Sequence, residues 1–170
     1  MFRNKALIMS VLFSLLGLAA RAVNVGEAAP AFSAKATGGK TLQLSDFKGK
    51  WLALYFYPKA DTPGCTKESC SLRDGFKDLQ DLGVTILGAS VDDVEDQEAF
   101  KKKYNLPFDL LADTSKEVAK SYGSLGIAGL VASRKTFIIN PDGKVVHIFE
   151  NVNVGKHSTE VLEKVKELKK

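Results

Sequence analysis

The hydrophobic residues of this chain fall into short continuous runs and into longer segments with helical spacing. Two of the runs, residues 51–57 (WLALYFY) and 84–91 (VTILGASV), have the length of a strand and show no alternation with polar residues. Runs of this kind are typical of strands that are buried on both faces, as in the middle of a parallel sheet. We therefore predict two central strands, the first of which ends before Pro58.

A segment with helical spacing follows each of these runs. Residues 67–82 repeat their apolar positions at helical intervals and are closed by Gly83, so one helix is predicted there. Residues 92–104 predict a second helix, for which Asp92 and Asp93 are the candidate N-caps. Each predicted strand is thus followed by a helix.

The remainder of the chain predicts a third helix, a hairpin and a last helix. Thr114 and Glu117 occupy the positions of a capping box and open the third helix. Residues 134–150 predict two strands around a Pro-Asp-Gly turn. The chain ends on an amphipathic helix whose apolar side includes Val161 and Val165.

This order of elements predicts an α/β fold with a mixed central sheet flanked by helices. It is compatible with a thioredoxin-like fold, although periodicity alone does not separate that fold from other three-layer α/β folds. The length of 170 residues favours a single domain, and 45% apolar residues is ordinary for a packed core.

The N-terminus has the layout of a signal peptide. A basic start is followed by an apolar run over residues 6–20 and by the small-residue sequence Ala-Arg-Ala at residues 20–22. The run is shorter than the roughly 20 residues that span a membrane. We therefore expect a signal peptide over residues 1–22 and one domain over residues 23–170, with an uncleaved membrane anchor as the alternative.

Removal of that peptide changes the charge of the protein. It takes 3 of the 24 basic residues and none of the 20 acidic ones, which leaves the two nearly balanced. The high isoelectric point of the whole chain is then no sign of nucleic-acid binding. We expect a protein exported to the periplasm, without stable membrane association after processing. The periplasm is oxidising, so neighbouring thiols tend to pair there.

Cys65 and Cys70 are the only cysteines, and their spacing is wider than the C-x-x-C of dithiol oxidoreductases. Cys65 follows a predicted buried strand at the start of a helix, whose N-terminus favours a thiolate. Thr62 has a hydroxyl that can donate to the sulfur, Pro63 suits the first turn, and Gly64 lets the backbone approach a ligand. The alternative is that Cys65 fills space in the core and Thr62 caps the helix.

The segment FYPKADTPGCTKESCSLRD resembles the active-site segment of the peroxiredoxins, and more narrowly that of the peroxiredoxin Q or bacterioferritin-comigratory-protein type. Downstream, SRKTFIINPDGKV resembles the segment that carries the family's active-site arginine, which falls on Arg134. The resemblance runs from about Asn24 to the C-terminus. The positions of the first motif that match are Tyr57, Pro58, Thr62, Pro63 and Cys65, with Cys70 as the second cysteine of the group.

The resemblance implies a thiol peroxidase that reduces hydrogen peroxide and organic hydroperoxides. Cys65 would attack the peroxide and become a sulfenic acid, and Cys70 would condense with it to an intramolecular disulfide. Thr62 and Arg134 would hold the peroxide and meet the charge on its departing oxygen. A thioredoxin-like or other dithiol protein would reduce the disulfide. No cofactor or metal is implied, and a monomer or weak dimer suffices. The residues expected to line the peroxide pocket are Tyr57, Pro58, Pro63 and Gly64.

Several of these residues also have simpler interpretations. Arg134 stands next to Lys135 and could be a surface charge at the edge of a strand. Tyr57 could belong to the core. Glu68, one turn after Cys65, could order Arg134 or could lie on a solvated helix face.

Three other functions compete with the peroxidase. A thiol–disulfide oxidoreductase acting on proteins suits the fold and the compartment but not the cysteine spacing. An exported module with one structural disulfide is also possible, although so short a loop would stabilise the fold little. A metal site would need His147 and His157 beside Cys65 and Cys70, at no recognisable ligand spacing.

The two cysteines cannot bond to each other within one intact helix. Five residues of helix separate their Cα atoms by roughly 7.5 Å along the axis, whereas a disulfide needs about 4.4–6.8 Å. We therefore expect residues 65–71 to unwind on oxidation. The stretch TKESCS has no large apolar residue to anchor it, so we expect that opening to cost little free energy.

Overall fold

The computed structural model describes residues 21–170. All but the last two residues of the expected signal peptide, residues 1–22, lie outside the described residues. Within that described range, no helix is both long and apolar enough to cross a membrane.

Seven strands and five α-helices make up the described part of the chain. The strands are β1 (Ser33–Ala36), β2 (Lys40–Gln43), β3 (Trp51–Phe56), β4 (Val84–Ser90), β5 (Asp109–Ala112), β6 (Lys135–Ile139) and β7 (Val145–Phe149). The helices are α1 (Pro63–Asp74), α2 (Phe76–Asp81), α3 (Val94–Lys103), α4 (Glu117–Ser121) and α5 (His157–Leu168). Two short 3-10 helices, Leu44–Phe47 and Ile127–Gly129, lie in the connections.

The strands form one mixed sheet in the order β2-β1-β5-β4-β3-β6-β7. The three central strands β3, β4 and β5 are parallel, and the hairpin β6–β7 adds antiparallel to β3. The prediction of a mixed sheet flanked by helices is confirmed, as are both buried central strands and the hairpin. Strand β1 was not expected, because its sequence Ser-Ala-Lys-Ala carries no apolar pattern.

Strand β3 divides the interior into two cores because its side chains alternate between the faces of the sheet. Leu52, Leu54 and Phe56 enter the core that α4 covers. Ala53 and Tyr55 enter the other core, which is covered by α1, α2, α3 and α5. The site described below lies on this second face, at the end of β3 where the chain enters α1.

Trp51, the only tryptophan of the sequence, begins β3 at the opposite end of the strand from that site. Its ring is partly buried and packs at the margin of the second core. Pro58 follows two residues after the end of the strand, as predicted from the sequence.

The single helix predicted over residues 67–82 is wrong, because the chain forms two helices, α1 and α2, separated by Gly75. A Cβ atom on Gly75 would lie 2.5 Å from the Cβ of Ser158, so α5 packs against bare backbone at this point. The break therefore brings the first turn of α5 close to the junction of α1 and α2.

The ends of two other helices test the cap predictions. Asp93 caps α3 as expected, since its carboxylate accepts a 2.8 Å hydrogen bond from the N–H of Asp96. The helix at Glu117 has no capping box with Thr114. The carboxylate of Asp113 instead accepts hydrogen bonds from the backbone N–H groups at the start of α4, those of Val118 and Ala119.

Candidate active site

The first turn of α1 holds the candidate nucleophile. Thr62 is the N-cap, Pro63 is the first helical residue and Cys65 is the third, with only 1% of its surface exposed. The unpaired N–H groups of a helix start and the helix dipole place partial positive charge around this thiol. The position that the sequence predicted for Cys65 is therefore the one observed.

Arg134 reaches Cys65 across 69 residues of sequence. Strand β6 pairs antiparallel with β3, with Lys135 opposite Phe56, so the residue before β6 lies beside the chain that leaves β3. The Nη2 of Arg134 donates to the Sγ of Cys65 at 3.4 Å. Its side chain is 24% exposed, which places it at the edge of the site rather than on the open surface.

Glu68 completes a chain of three charged or ionisable groups. It lies one turn after Cys65 on α1, is 0% exposed, and accepts a hydrogen bond from Nη1 of Arg134 through Oε2. Burial raises the pKa of Glu68 to about 7, against the opposing influence of Arg134. Of the two roles that the sequence left open, the structure therefore shows the contact with Arg134 and excludes the solvated face.

Gly64 has a use that the sequence did not indicate. A Cβ at this position would lie 3.2 Å from Nη2 of Arg134, which is closer than most Cβ atoms come to a neighbour. The missing side chain therefore makes room for the guanidinium beside Cys65.

Thr62 is oriented by the loop rather than by the sulfur. Its hydroxyl donates to the carbonyl oxygen of Lys59 at 2.8 Å and does not cap the helix through its side chain. The oxygen of this hydroxyl can still accept a hydrogen bond, for example from the O–H of a bound peroxide.

Two carboxylates hold the loop from Tyr57 to Thr62 in roles that the sequence did not predict. Asp92, expected as a candidate N-cap, does not cap α3, because Asp93 takes that position. Asp92 accepts from the N–H of Ala60 at 2.7 Å and from Nζ of Lys59 at 3.1 Å. Asp61 has a left-handed backbone with φ of 58° and pairs through its carboxylate with Lys103 and the hydroxyl of Tyr104. Only the left-handed tolerance of aspartate offered a sequence signal for this turn.

Tyr57 lies in the core, one of the two interpretations that the sequence allowed. Its ring is 0% exposed and stacks on Tyr55, and its hydroxyl donates to Oε1 of Gln97. Burial raises the pKa of Tyr57 far above its usual range. Of the other residues expected to line the pocket, Pro58 is partly exposed and Pro63 is exposed at the first turn of α1.

Cys70 lies on the same uninterrupted helix as Cys65, and both thiols are free. The segment between them is held by polar contacts that the sequence did not indicate. Ser69 is 0% exposed and its hydroxyl lies 2.9 Å from the hydroxyl of Tyr55. The Glu68–Arg134 pair adds a second anchor, so the hold on this turn is polar rather than apolar.

The geometry does not assemble the metal site that the sequence left as an alternative. Among residues 21–170, no group of three or more His, Cys, Asp or Glu side chains is arranged to hold a metal ion. His157 is buried instead against Thr136, whose hydroxyl lies 2.8 Å from its Nε2.

Comparison with known proteins decides the family. Residues 25–148 match the model of the AhpC/TSA family. The chain belongs to this family. Peroxiredoxin Bcp of Bacillus subtilis is 37% identical over 152 residues, which cover 86% of this chain and 97% of that protein. The chloroplastic peroxiredoxin Q of Populus jackii is 40% identical over 148 residues, covering 86% and 70% of the two chains.

A solved structure extends the likeness to the fold. The bacterioferritin comigratory protein of Xanthomonas campestris, studied for its alkyl peroxide reduction activity, is 30% identical with a TM-score of 0.77. The match covers 82% of this chain and 92% of that one. The thioredoxin-like fold is thereby confirmed, and this peroxiredoxin of the Q or Bcp type is a thiol-dependent peroxidase.

Proposed function

We propose that Cys65 is the thiol that reacts with peroxide. The observation that carries this is the guanidinium of Arg134 at 3.4 Å from a sulfur in the first turn of α1. The thiolate attacks one peroxide oxygen, so that an S–O bond forms while the O–O bond breaks. Sulfur is oxidised to a sulfenic acid, and the departing oxygen takes a proton and leaves as water or an alcohol.

Arg134 and Thr62 hold the peroxide in this scheme. Arg134 remains a cation throughout and stabilises the negative charge that develops on the departing oxygen. The hydroxyl of Thr62, fixed by the carbonyl of Lys59, accepts a hydrogen bond from the peroxide. Hydrogen peroxide and organic hydroperoxides are the proposed substrates, in line with the alkyl peroxide reduction activity of the Xanthomonas campestris relative.

Cys70 resolves the sulfenic acid of Cys65 as an intramolecular disulfide in this proposal. Both residues lie on α1, whose rise holds their Cα atoms about 7.5 Å apart along the axis. The first turns of α1 must therefore unwind, and the contacts of Glu68 and Ser69 must break, before the sulfurs meet. A thioredoxin-like dithiol protein then reduces the disulfide, and a monomer suffices for the whole cycle.

Mass spectrometry after one equivalent of hydrogen peroxide tests the scheme. The wild type should lose two hydrogens, as a disulfide requires, whereas Cys70→Ser should gain one oxygen at Cys65. Amide exchange across residues 66–71 should be faster in the oxidised wild type than in the reduced form. A disulfide-like mass in Cys70→Ser, or equal exchange in both forms, would contradict local resolution by Cys70.

The place of action is proposed to be the periplasm. The support is the sequence of residues 1–22, with its basic start, apolar run and Ala-Arg-Ala ending. N-terminal sequencing of native protein should return a chain that begins near Val23. Recovery of a chain that begins with Met1 would refute export with cleavage.

A further inference from the structure

Arg134 contacts two groups that can each become an anion. Its Nη2 donates to the Cys65 sulfur at 3.4 Å, and its Nη1 donates to Oε2 of Glu68. Cys65 and Glu68 are three residues apart on α1, which places them on the same side of the helix. A thiolate and a carboxylate thus compete for the charge of one guanidinium.

The carboxyl group of Glu68 is poorly accommodated as an anion. It is 0% exposed, and its second oxygen, Oε1, is buried without a hydrogen-bond partner in the described part of the chain. An ionised oxygen that is removed from water and left unpaired is strongly disfavoured, and protonation relieves this. Burial accordingly raises the pKa of Glu68 to about 7.

Among residues 21–170, the titratable groups on neighbouring elements do not offer a second positive charge to either anion. Tyr55 of β3 and Tyr57, the residue that follows the strand, are neutral, because burial raises the pKa of each hydroxyl far above its usual range. His157 of α5 is buried beside Glu160, and burial lowers its pKa, so it too is neutral near pH 7. Arg134 is therefore the charge for which Cys65 and Glu68 compete.

We propose that Cys65 and Glu68 share one proton under the charge of Arg134, so that the resting site exchanges between a thiol with a carboxylate and a Cys65 thiolate with a Glu68 carboxylic acid. This rests on the proposed role of Cys65 as the peroxide-reactive thiol. In the resting equilibrium the thiol loses its proton as the carboxylate gains one, and the net charge of the site is unchanged. Glu68 acts through Arg134 and does not touch the peroxide.

Proton uptake and proton release are equal over the first half of the catalytic cycle. The thiolate gives its electron pair to one peroxide oxygen, the S–O bond forms and the O–O bond breaks. The departing oxygen takes up one proton as the negative charge of the thiolate disappears. Glu68 then releases its proton to solvent and returns to a carboxylate, because the neutral sulfenic acid no longer competes with it for Arg134, so the site gives up as many protons as the departing oxygen takes up.

Titration of the reduced Cys70→Ser protein tests the sharing without any peroxide turnover, so a failure of the peroxidase scheme would be distinguishable. Thiolate formation at Cys65 is followed by ultraviolet absorbance against pH. In this background Glu68→Gln keeps an oxygen for Arg134 but carries no charge. It should shift the midpoint of thiolate formation to lower pH by about one unit. The matched variant Glu160→Gln, which removes a charge that does not contact Arg134, should shift the midpoint far less.

Infrared spectroscopy gives the reciprocal measurement on Glu68. Its carboxylic-acid band should disappear at lower pH in Cys65→Ser than in the protein with Cys65, and by the same number of pH units, because coupling between two sites is mutual. A role for Glu68 limited to orienting Arg134 would leave the thiolate midpoint of Glu68→Gln unchanged, and that result would overturn the proposal. A Glu68 band insensitive to Cys65→Ser would overturn it independently, even if Glu68→Gln failed to fold.

Discussion

Helices α1 and α5 have the same length, 12 residues each, and lie over the same face of the sheet, yet they are held in different ways. The apolar residues Val161 and Val165 of α5 are both 0% exposed. Of the buried residues of α1, Leu72 alone is a large apolar side chain, and the others include Glu68 and Ser69. Helix α5 is held by buried apolar side chains, whereas α1 is held largely by polar pairs.

The difference fits the proposed unwinding of α1 on oxidation. Burying an apolar side chain contributes about 1.5–3 kcal/mol, and water offers no substitute for that contact. A hydrogen bond between neutral groups, such as that between Ser69 and Tyr55, contributes only about 0.5–1.5 kcal/mol, and one to a charged group such as Arg134 contributes about 1.5–3 kcal/mol. Water replaces the lost partner when these groups become exposed. Polar anchors therefore keep the start of α1 ordered around Cys65 and can be exchanged for water in the proposed unwinding, whereas α5 stays packed against the sheet through its buried valines.

The largest effect is expected from substitution of Cys65, the proposed nucleophile on α1. Cys65→Ser should abolish peroxide reduction, because a serine hydroxyl is not ionised at neutral pH and cannot cycle through a sulfenic acid. Cys70→Ser, on the same helix, should still react once per molecule with peroxide. Peroxide consumption with a supplied dithiol and a single-turnover assay measure the two effects. Substantial turnover by Cys65→Ser would show that Cys65 is not the thiol that reacts with peroxide.

The second prediction concerns Arg134, which contacts both Cys65 and Glu68 of α1. Arg134→Ala should slow the reaction of Cys65 with peroxide by about 10²–10³-fold, the usual effect of losing one donor at a developing negative charge. Lys135→Ala is the matched control, because Lys135 pairs with Glu150 and not with the site. Stopped-flow kinetics should separate the two variants. Equal rates for both would show that Arg134 has no part in the reaction.

The third prediction concerns α5. Val165→Ala should lower the free energy of unfolding by about 2 kcal/mol, because it leaves a cavity at a fully buried position. The rate of peroxide attack at Cys65 should remain within about twofold, since an effect on packing energy alone leaves the site geometry in place. Urea denaturation and stopped-flow kinetics give the two numbers. A large loss of rate would mean that α5 positions the site directly.

Opposite responses to pH should distinguish the buried acid of α1 from the buried base of α5. The pKa of Glu68 is raised from 4.5 to about 7, so its contribution to stability is lost as pH rises through that window. The pKa of His157 is lowered from 6.5, so its contribution is lost as pH falls below that value. Each slope is at most about 1.4 kcal/mol per pH unit.

Glu68→Gln and His157→Gln isolate these slopes when each is compared with the wild type at several pH values. The wild type should lose stability relative to Glu68→Gln on going from pH 4.5 to 7. It should lose stability relative to His157→Gln as the pH falls below 6.5. Slopes of the same sign in the two comparisons would contradict the assignment.

The smallest effect is expected from a single polar anchor. Ser69→Ala removes the hydrogen bond to the hydroxyl of Tyr55 and should destabilise closed α1 by about 1 kcal/mol. Disulfide formation after peroxide treatment should then be up to about fivefold faster if opening limits it. Lys67→Ala, at an exposed position of the same turn, is the control. Unchanged kinetics in Ser69→Ala would mean that this bond does not restrain the opening.

Sequence patterns predicted the framework well because it depends on strong periodic signals. The continuous apolar run of β3, the hairpin and the buried side of α5 are all as expected. The break at Gly75 was not predictable, because it depends on the close approach of Ser158 from a helix 83 residues further along the chain. Contacts of this kind leave no local pattern in the sequence.

The site shows the same division between local and distant information. Cys65 at the start of a helix follows from neighbouring residues, and Arg134 came from a resemblance. The burial of Glu68 could not be predicted, since a charged residue in a polar helix gives no sign of the face it occupies. The anchoring of the loop by Asp92 likewise depends on β3 and β4 being neighbours in the sheet.

The position of Trp51 gives the protein an internal optical reporter that separates two kinds of motion. It stands at the far end of the six-residue strand β3, about 20 Å from the start of α1. Its emission should therefore follow melting of the sheet and remain constant when only α1 opens. A fall in ellipticity without a change in tryptophan fluorescence would mark active-site opening in unlabelled protein.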